Sequence, residues 1–424
     1  MKKNLNMQHQ ATKPTAVIVG MEKNGLGVAR ALSVHNIPAI GLAAPDWDPS
    51  CETNACDVIY GSSWTRKGLI NDLKLIGQKL TCKAPLIITK DEPVLWISES
   101  RQEIADLYEI NLPEHPVVEL LMNKSKFYEM GVKEGWPFPI TWQINNKEEL
   151  ICRLKEIVYP CILKPQVKNS EFRKHAPRKA FIVRDEHELI TMYDLVAQWE
   201  PEVVIQEWIG GGDDRVAFCL TYCNRQGEPI ACFPGRKLRQ YPIRCGNTAI
   251  AEPAPKEWEE SIISLTGIIF RTVGFKGLGS IEYKMRPDTD TPVIMEPTVG
   301  RTNFQSEIAV LNGVNIPSIA YHDLIKQTYH LVVAPSAPVK LINGVKEIRS
   351  AFMYWRTGEL ELARWLKERS GRKKYMTFRL NDLGPFIASG QSAVWAIVKK
   401  LVKVIIPKSW VAAIRQKKQK RYFF

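Results

Sequence analysis

The stretch "IEYKMRPDTDTPVIMEPTVGR", residues 281–301, sets two short β-compatible runs on either side of a Pro- and Asp-rich cluster. That is the pattern of two strands joined by a turn. In a hairpin, opposed residues share one midpoint, and pairing Glu282 with Glu296 places it at Thr289, inside the turn cluster. The two carboxylates then face each other with Cβ atoms roughly 5 Å apart, an arrangement that destabilises the pair unless positive charge compensates.

The surrounding chain is long enough to supply that charge from several directions. It has 424 residues, 45% of them hydrophobic, which suffices for two or three cores. No internal repeat is visible. None of the nine cysteines forms a C-x-x-C pair, and Cys219, Cys223 and Cys232 lie among apolar strand-like residues. They are expected to be reduced core residues, which argues against a zinc site and for a reducing cytoplasm. The opening "MKKNLNMQHQATKP" lacks the apolar stretch of a signal peptide, and no run reaches the roughly 20 apolar residues of a spanning helix. The net charge is +13, but residues 391–424 hold nine Lys or Arg and no acid, leaving the other 390 residues at +4. No specific nucleic-acid partner is expected of so mildly basic a body.

The chain opens with "TAVIVG" as a buried strand, a Gly-rich turn entering a helix, and "IPAIGLA" as a second strand. This βαβ unit implies a parallel α/β sheet. Gly20, Gly25 and Gly27 fit neither phosphate-binding fingerprint, since Leu26-Gly27 replaces the Lys-Ser/Thr of a P-loop and Arg30 replaces the third dinucleotide glycine. Structural glycines and direct ligand contact both remain as readings. Beyond Pro116, residues 117–139 read as one amphipathic helix ending at Gly135. "YPCILKP" and "AFIV" follow as strands flanking a charged loop, then comes a helix, then "EVVIQEWIGGGDD" as a strand running into a Gly-rich turn. After that, "RVAFCLTYCN" and "PIACFPGRKLRQYP" read as a meander turning at 224–227, followed by a helix near 258–273 and the opening hairpin.

Facing carboxylates on a hairpin suit Mg²⁺, which takes one or two carboxylates together with phosphate oxygens and water. The plain alternative is an edge hairpin whose acids point to solvent. Lys124 opens a helix after "MN", and Lys164 emerges at the end of the strand "CILKP". Glu207 is an acid inside the apolar strand "VVIQEW", just before Gly210–Gly212 and Asp213-Asp214.

Taken in order, "NK" (123–124), "YPCILKP" (159–165), "IQEWIGG" (205–211), "IEYK" (281–284) and "IMEPTVGR" (294–301) resemble the ATP-grasp superfamily, in its carboxylate–amine ligase branch. The resemblance covers roughly residues 15–341. Segments "YWRTGELELARW" and "FRLNDLGPFIAS" also look like the C-terminal part of uncharacterised members related to D-aspartate ligase. The resemblance implies a Rossmann-like N-terminal domain (14–116), an ATP-grasp small lobe with a lid loop (117–204) and a large lobe with a metal site (205–341). A C-terminal extension (342–390) and a basic amphipathic tail (391–424) complete the α/β and α+β chain. It implies ATP and Mg²⁺ as cofactors, with small-molecule carboxylate and amine substrates. Lys124 and Lys164 would hold the nucleotide phosphates. Glu207, with the backbone of Trp208 and Ile209, would read adenine, and Asp214, or failing it Asp213, would bind ribose. Glu282 and Glu296 would hold Mg²⁺, and Arg301 would neutralise the transferred phosphoryl group or the substrate carboxylate.

Two departures stand out. Thr298 occupies a position where family members commonly carry a metal-binding Asn, and the lid "QVKNSEFRKHAPRKA" is basic rather than Gly-rich. Lid side chains would then cover the phosphates, or the loop is simply solvated. Arg236, Lys237 and Arg239 form a further basic cluster, read as an anionic-substrate contact or as a surface strand. In the tail, Lys399, Lys400 and Lys403 form a basic stripe beside a broad apolar face. It is read as a helix on the protein's own core, as a contact with an anionic membrane surface, or as a partner site. Two readings compete with the ligase: a non-catalytic ATP-binding or membrane-surface protein, and a nucleotide-dependent oxidoreductase.

Overall fold

The near-uniform apolar runs at the start of the chain form a five-stranded, fully parallel sheet: β1 (Ala16–Val19), β2 (Ala39–Ala43), β3 (Asp57–Tyr60), β4 (Ala84–Ile88) and β5 (Tyr108–Glu109), in spatial order β3-β2-β1-β4-β5. β1, β2 and β4 are buried at every position because both sheet faces are covered, which is why their sequences do not alternate. This computed structural model describes residues 13–165, 181–244, 246–301, 303, 306–329 and 335–392. The expected lid at 166–180 and the tail from 393 onward lie outside the described residues. At the first turn the glycines answer to packing: Gly20 has φ +96°, and a Cβ on Gly25 would sit 2.0 Å from the Gly20 carbonyl oxygen.

A second sheet is antiparallel and built from β6 (Thr141–Ile144), β7 (Cys161–Pro165), β8 (Phe181–Val183) and β9 (Val203–Glu207), in order β6-β9-β7-β8. Alternation assigns its two faces. Cys161, Leu163, Val203 and Ile205 point into a core closed by Leu150, Leu189, Tyr193 and Val196 from two helices, Lys147–Arg153 and Glu186–Val196. Ile162, Lys164, Val204 and Gln206 lie half-buried on the other face. Asn146 and Asp185 start the two helices by accepting the Glu149 and Glu188 N–H groups at 2.8 Å. The single helix expected before this sheet is two, His115–Met122 and Lys124–Lys133. Asn123 divides them: its side chain accepts the Ser125 and Lys126 N–H groups, both at 3.1 Å, which starts a new helix where the apolar periodicity alone runs on.

The largest sheet has seven strands: β10 (Val216–Cys223), β11 (Pro229–Tyr241), β12 (Asn247–Pro253), β13 (Gly277–Met285), β14 (Pro292–Val299), β15 (Lys340–Ile342) and β16 (Lys373–Tyr375), in order β14-β13-β10-β11-β12-β15-β16. The expected hairpin is β13–β14, and Glu282 pairs directly with Glu296. One residue beyond, Tyr283 pairs with Ile294, so Met295 is left out of the ladder as a β-bulge and is 46% exposed. Residues of this sheet share hydrophobic cores with the parallel sheet. Val17, Val19 and Leu86 join Ala217, Ile281 and Tyr283 in one cluster, and Ile18 and Val28 join Phe218, Leu220 and Tyr321 in another. The small antiparallel sheet keeps its own core.

Buried ion pairs attach the last described segment to the rest. The helix Gly344–Arg356 lies against β11 and β12, its Ala351 and Tyr354 cluster with Leu360, Ile243 and Trp365, and its Glu347 has no exposed surface. Glu347 is met by Arg239 at 2.5 Å, Arg369 at 2.8 Å and the Trp365 indole N–H at 2.8 Å. Further on, Asp382 reaches Arg30 at 2.9 Å, Thr53 Oγ1 at 2.8 Å and the Asn54 N–H at 3.0 Å, while Arg379 pairs with Glu307 at 2.6 Å. Burial pushes the Glu307 carboxyl above the usual carboxylate range, against the opposing pull of Arg379 and Arg30. Removing one member of such a set strands the others in low dielectric. Glu347→Ala, which leaves buried Arg239 without that carboxylate, is expected to cost about 3–5 kcal/mol, read as a lowered urea midpoint.

Candidate functional site

Alternation along β13 puts Ile281, Tyr283 and Met285 in the core and turns Glu282 and Lys284 to the other face. Each opposed carboxylate holds one ammonium. Glu282 Oε2 lies 2.6 Å from Lys237 Nζ, and Glu296 Oε2 lies 2.9 Å from Lys124 Nζ. Lys237 is buried on β11, two strands away from Glu282, and also donates to Gln240 Oε1 at 3.0 Å. Lys124 projects from the first turn of the helix that Asn123 starts, and its side chain is 81% exposed. The like-charge repulsion of the hairpin is therefore offset by two cations from two different elements.

The basic cluster of β11 separates into three environments. A bulge at Leu238 shifts the register between Lys237 and Arg239. Lys237 meets Glu282, Arg239 meets Glu347, and Arg236 is held by Glu252 at 2.6 and 2.9 Å. The choice between a substrate contact and a surface strand omitted this outcome, because two of the three residues are buried in ion pairs.

At the end of β9, the Glu207 carboxylate receives both arms of Arg286, at 2.6 and 3.0 Å, and the Ile140 N–H at 3.2 Å. The hydrogen bonds from Arg286 hold its carboxyl below the usual range against the effect of burial. Glu207 and Trp208 donate their own N–H groups to the Ile140 and Pro160 carbonyls, at 2.8 and 3.1 Å. Half-buried Trp208 and buried Ile209 lead into the glycine turn, which Lys284 fixes by donating to the Gly211 and Gly212 carbonyls at 3.0 and 2.6 Å. Burial lowers the Lys284 pKa. Asp213 is buried and takes up Gln240 N–H, Gln240 Nε2 and Tyr354 OH at 2.7–3.0 Å, so it is a structural anchor. Asp214 is half-exposed, with Arg364 at 3.4 Å.

Lys164 sits on the half-covered face of the small sheet with its ammonium 3.3 Å from Gln206 Oε1. Arg301 lies beyond the hairpin and clasps Asp91 at 2.6 and 2.8 Å. It also donates to Asn303 Oδ1 at 3.2 Å; the same oxygen accepts from Thr298 Oγ1 at 3.2 Å, and Asn303 Nδ2 donates to Ser280 Oγ at 3.0 Å. Asp91 follows Lys90, which lines a cavity of about 500 Å³ at the carboxyl ends of the parallel strands, between Trp47, Trp64, Asp46 and Gly20. Arg286, Asp91, Asn303 and the role of Lys237 are residues that sequence reasoning missed.

No family model matches the chain. It is 23% identical over 251 residues to the D-aspartate ligase of Enterococcus faecium (strain Aus0004), a match covering 57% of this chain and 58% of that protein's own length. Among solved structures, it resembles phosphoribosylglycinamide synthetase from Anaerococcus prevotii with a TM-score of 0.57 and 14% identity, covering 74% of this chain and 76% of that one. It likewise resembles the N5-carboxyaminoimidazole synthetase from Staphylococcus aureus complexed with ADP, with a TM-score of 0.56 and 14% identity, over 78% and 82% of the two chains. The chain has the ATP-grasp fold. Among the described residues, no group of three or more His, Cys, Asp or Glu side chains could hold a metal ion by itself. A carboxylate pair with hard oxygen donors still fits Mg²⁺ that arrives with nucleotide phosphates.

The Glu207–Arg286 pair gives a pH-dependent expectation for the end of β9. A carboxyl lowered in the folded state contributes stability above its unfolded pKa and loses it as pH falls through the folded value. Arg286→Gln is therefore expected to cost about 1–3 kcal/mol near neutral pH. The gap in urea midpoint between variant and wild type is expected to narrow when both are unfolded below the carboxylate range.

Proposed function

We propose that the protein is an ATP-dependent carboxylate–amine ligase. The observation that carries this reading is the direct register of Glu282 with Glu296, each carboxylate holding an ammonium at 2.6–2.9 Å. An acidic pair already interleaved with lysines has the charge balance that a nucleotide triphosphate and its divalent ion require. The D-aspartate ligase of E. faecium and the ADP-bound synthetase of the same fold support the assignment.

In this reading Lys124 and Lys164 hold phosphate oxygens, and Lys124 exchanges Glu296 for the nucleotide. Glu207 secures the hinge by clamping Arg286, so adenine is read by the main chain of Trp208 and Ile209 rather than by the Glu207 carboxylate. Asp214 takes the ribose. Mg²⁺ bound by Glu282 and Glu296 would screen phosphate charge during transfer. Arg301 releases exposed Asp91 to neutralise the substrate carboxylate or the transferred phosphoryl group. The carboxylate oxygen attacks the γ-phosphorus and ADP leaves, giving an acyl phosphate. An amine then attacks the acyl carbon and expels phosphate, giving an amide. Such chemistry asks the protein for positioning and charge, and no nucleophilic side chain is needed.

Glu296→Gln removes one metal oxygen and relieves the like-charge pair, so the variant is expected to fold and to lose Mg²⁺-dependent, substrate-dependent ADP release by about 10²-fold or more. Undiminished ADP release in folded E296Q would overturn the assignment. Lys164→Ala is expected to weaken ATP binding while leaving adenosine binding nearly unchanged, measured by calorimetry; equal losses for both ligands would remove Lys164 from the phosphate site.

A further inference from the structure

The helix Gly344–Arg356 presents an apolar face to solvent. Val345, Ile348, Phe352 and Trp355 are 64, 59, 55 and 60% exposed. At 100° per residue they fall within about an 80° arc. The opposite arc, Glu347, Ser350, Ala351 and Tyr354, is buried against the large sheet. The stripe is therefore not the core face of a misread helix: the helix has its core face and carries a second apolar face outward. Phe352 and Trp355 lie against each other with ring centroids 6.0 Å apart, and Arg356 sits over the Phe352 ring at 5.9 Å. Arg349 and Arg356 are exposed at the edge of the stripe, and the helix's one acid, Glu347, is the buried residue that binds Arg239 and Arg369. What this helix shows to solvent is therefore apolar and cationic.

Charge decides what can cover it. Nineteen of the 58 Lys and Arg residues, but only five of the 45 Asp and Glu residues, follow position 343. Nine of those nineteen lie in residues 393–424, so residues 344–392 by themselves carry +5. The chain's own residues 393–424 hold nine Lys or Arg and no acid, and a second copy would bring the same basic face, so both would meet like charge. A nucleic acid would match the charge but has no aliphatic surface for Val345 and Ile348. An acidic protein would need an apolar stripe of its own in register with this one. Both are outcomes for the test to separate. An anionic phospholipid surface matches charge and stripe together: the headgroups take the arginines and the acyl boundary takes the apolar side chains. No helix among the described residues is long and apolar enough to cross a membrane, so the contact lies in the interface. We propose that the Val345–Trp355 face docks the protein on anionic lipid, independently of the tail and of the catalytic reading.

The test uses the full chain with vesicles of phosphatidylcholine alone and of phosphatidylcholine with one quarter phosphatidylglycerol, scored by cosedimentation. Wild type is expected to bind the anionic vesicles and to release with rising salt. Phe352→Ser combined with Trp355→Ser is expected to lower the partition by roughly tenfold or more at every salt concentration. Arg349→Gln combined with Arg356→Gln is expected to lower it about fivefold per charge at low salt and little at high salt. Circular dichroism and urea midpoints equal to wild type confirm that these exposed substitutions leave the fold intact. The proposal is overturned if wild type ignores the anionic vesicles, or if the Phe352/Trp355 variant binds them as wild type does. It is also overturned if the apolar pair instead governs self-association in sedimentation velocity, or if a soluble polyanion binds as tightly as the vesicles and is insensitive to that pair.

Discussion

Two carboxylates placed opposite each other on adjacent strands repel, and Glu282 and Glu296 are each made tolerable by a cation brought from another element. Lys237 is buried beside Glu282 from β11, two strands away, and the bulge that follows it turns Arg239 to another carboxylate. Lys124 must begin a helix within reach of Glu296, which requires Asn123 to end one helix and start the next. The bulge at Met295 directly follows the acid pair, and the ladder resumes beyond it with Tyr283 opposite Ile294. The opposed carboxylates are balanced by counter-charges drawn from elements far apart in the chain.

The same logic separates what was legible in the sequence from what was not. Local patterns were readable: the βαβ opening, the meander turning near Gly227, and the hairpin register that pairs the two acids. Each depends on neighbours a few residues away. Partners supplied from a distance left no such mark. Arg301 meets Asp91 across 210 residues, and Glu207 meets Arg286 across 79. Lys237 looked like one of three equivalent cations on a strand, and only the bulge at Leu238 sends it and Arg239 to different carboxylates. The break at Asn123 was missed because apolar periodicity continues across it, while the capping that causes it is a competition between one side chain and the helix backbone.

The three sheets are unequally attached. The parallel sheet and the large sheet share two buried clusters, whereas the small antiparallel sheet has a hydrophobic cluster of its own and meets the large sheet through contacts such as Glu207–Arg286. A polar clamp between bodies with separate cores is weaker and easier to re-form than a shared apolar core, so hinge motion is expected at β9 and not between the other two sheets.

The buried set around Arg30 bears on the order in which the protein is made. Arg30 belongs to the first helix, yet its carboxylate partner Asp382 lies 352 residues later. At roughly 5–20 residues per second, the ribosome delivers that partner about 18–70 s after the helix has emerged. Through most of that interval the first parallel sheet has its own strands and helices, while Arg30 awaits first Glu307, at 4.0 Å, and then its closer partner Asp382, at 2.9 Å. The contact that ties the first helix to Asp382 therefore forms only after the strands of all three sheets have been made.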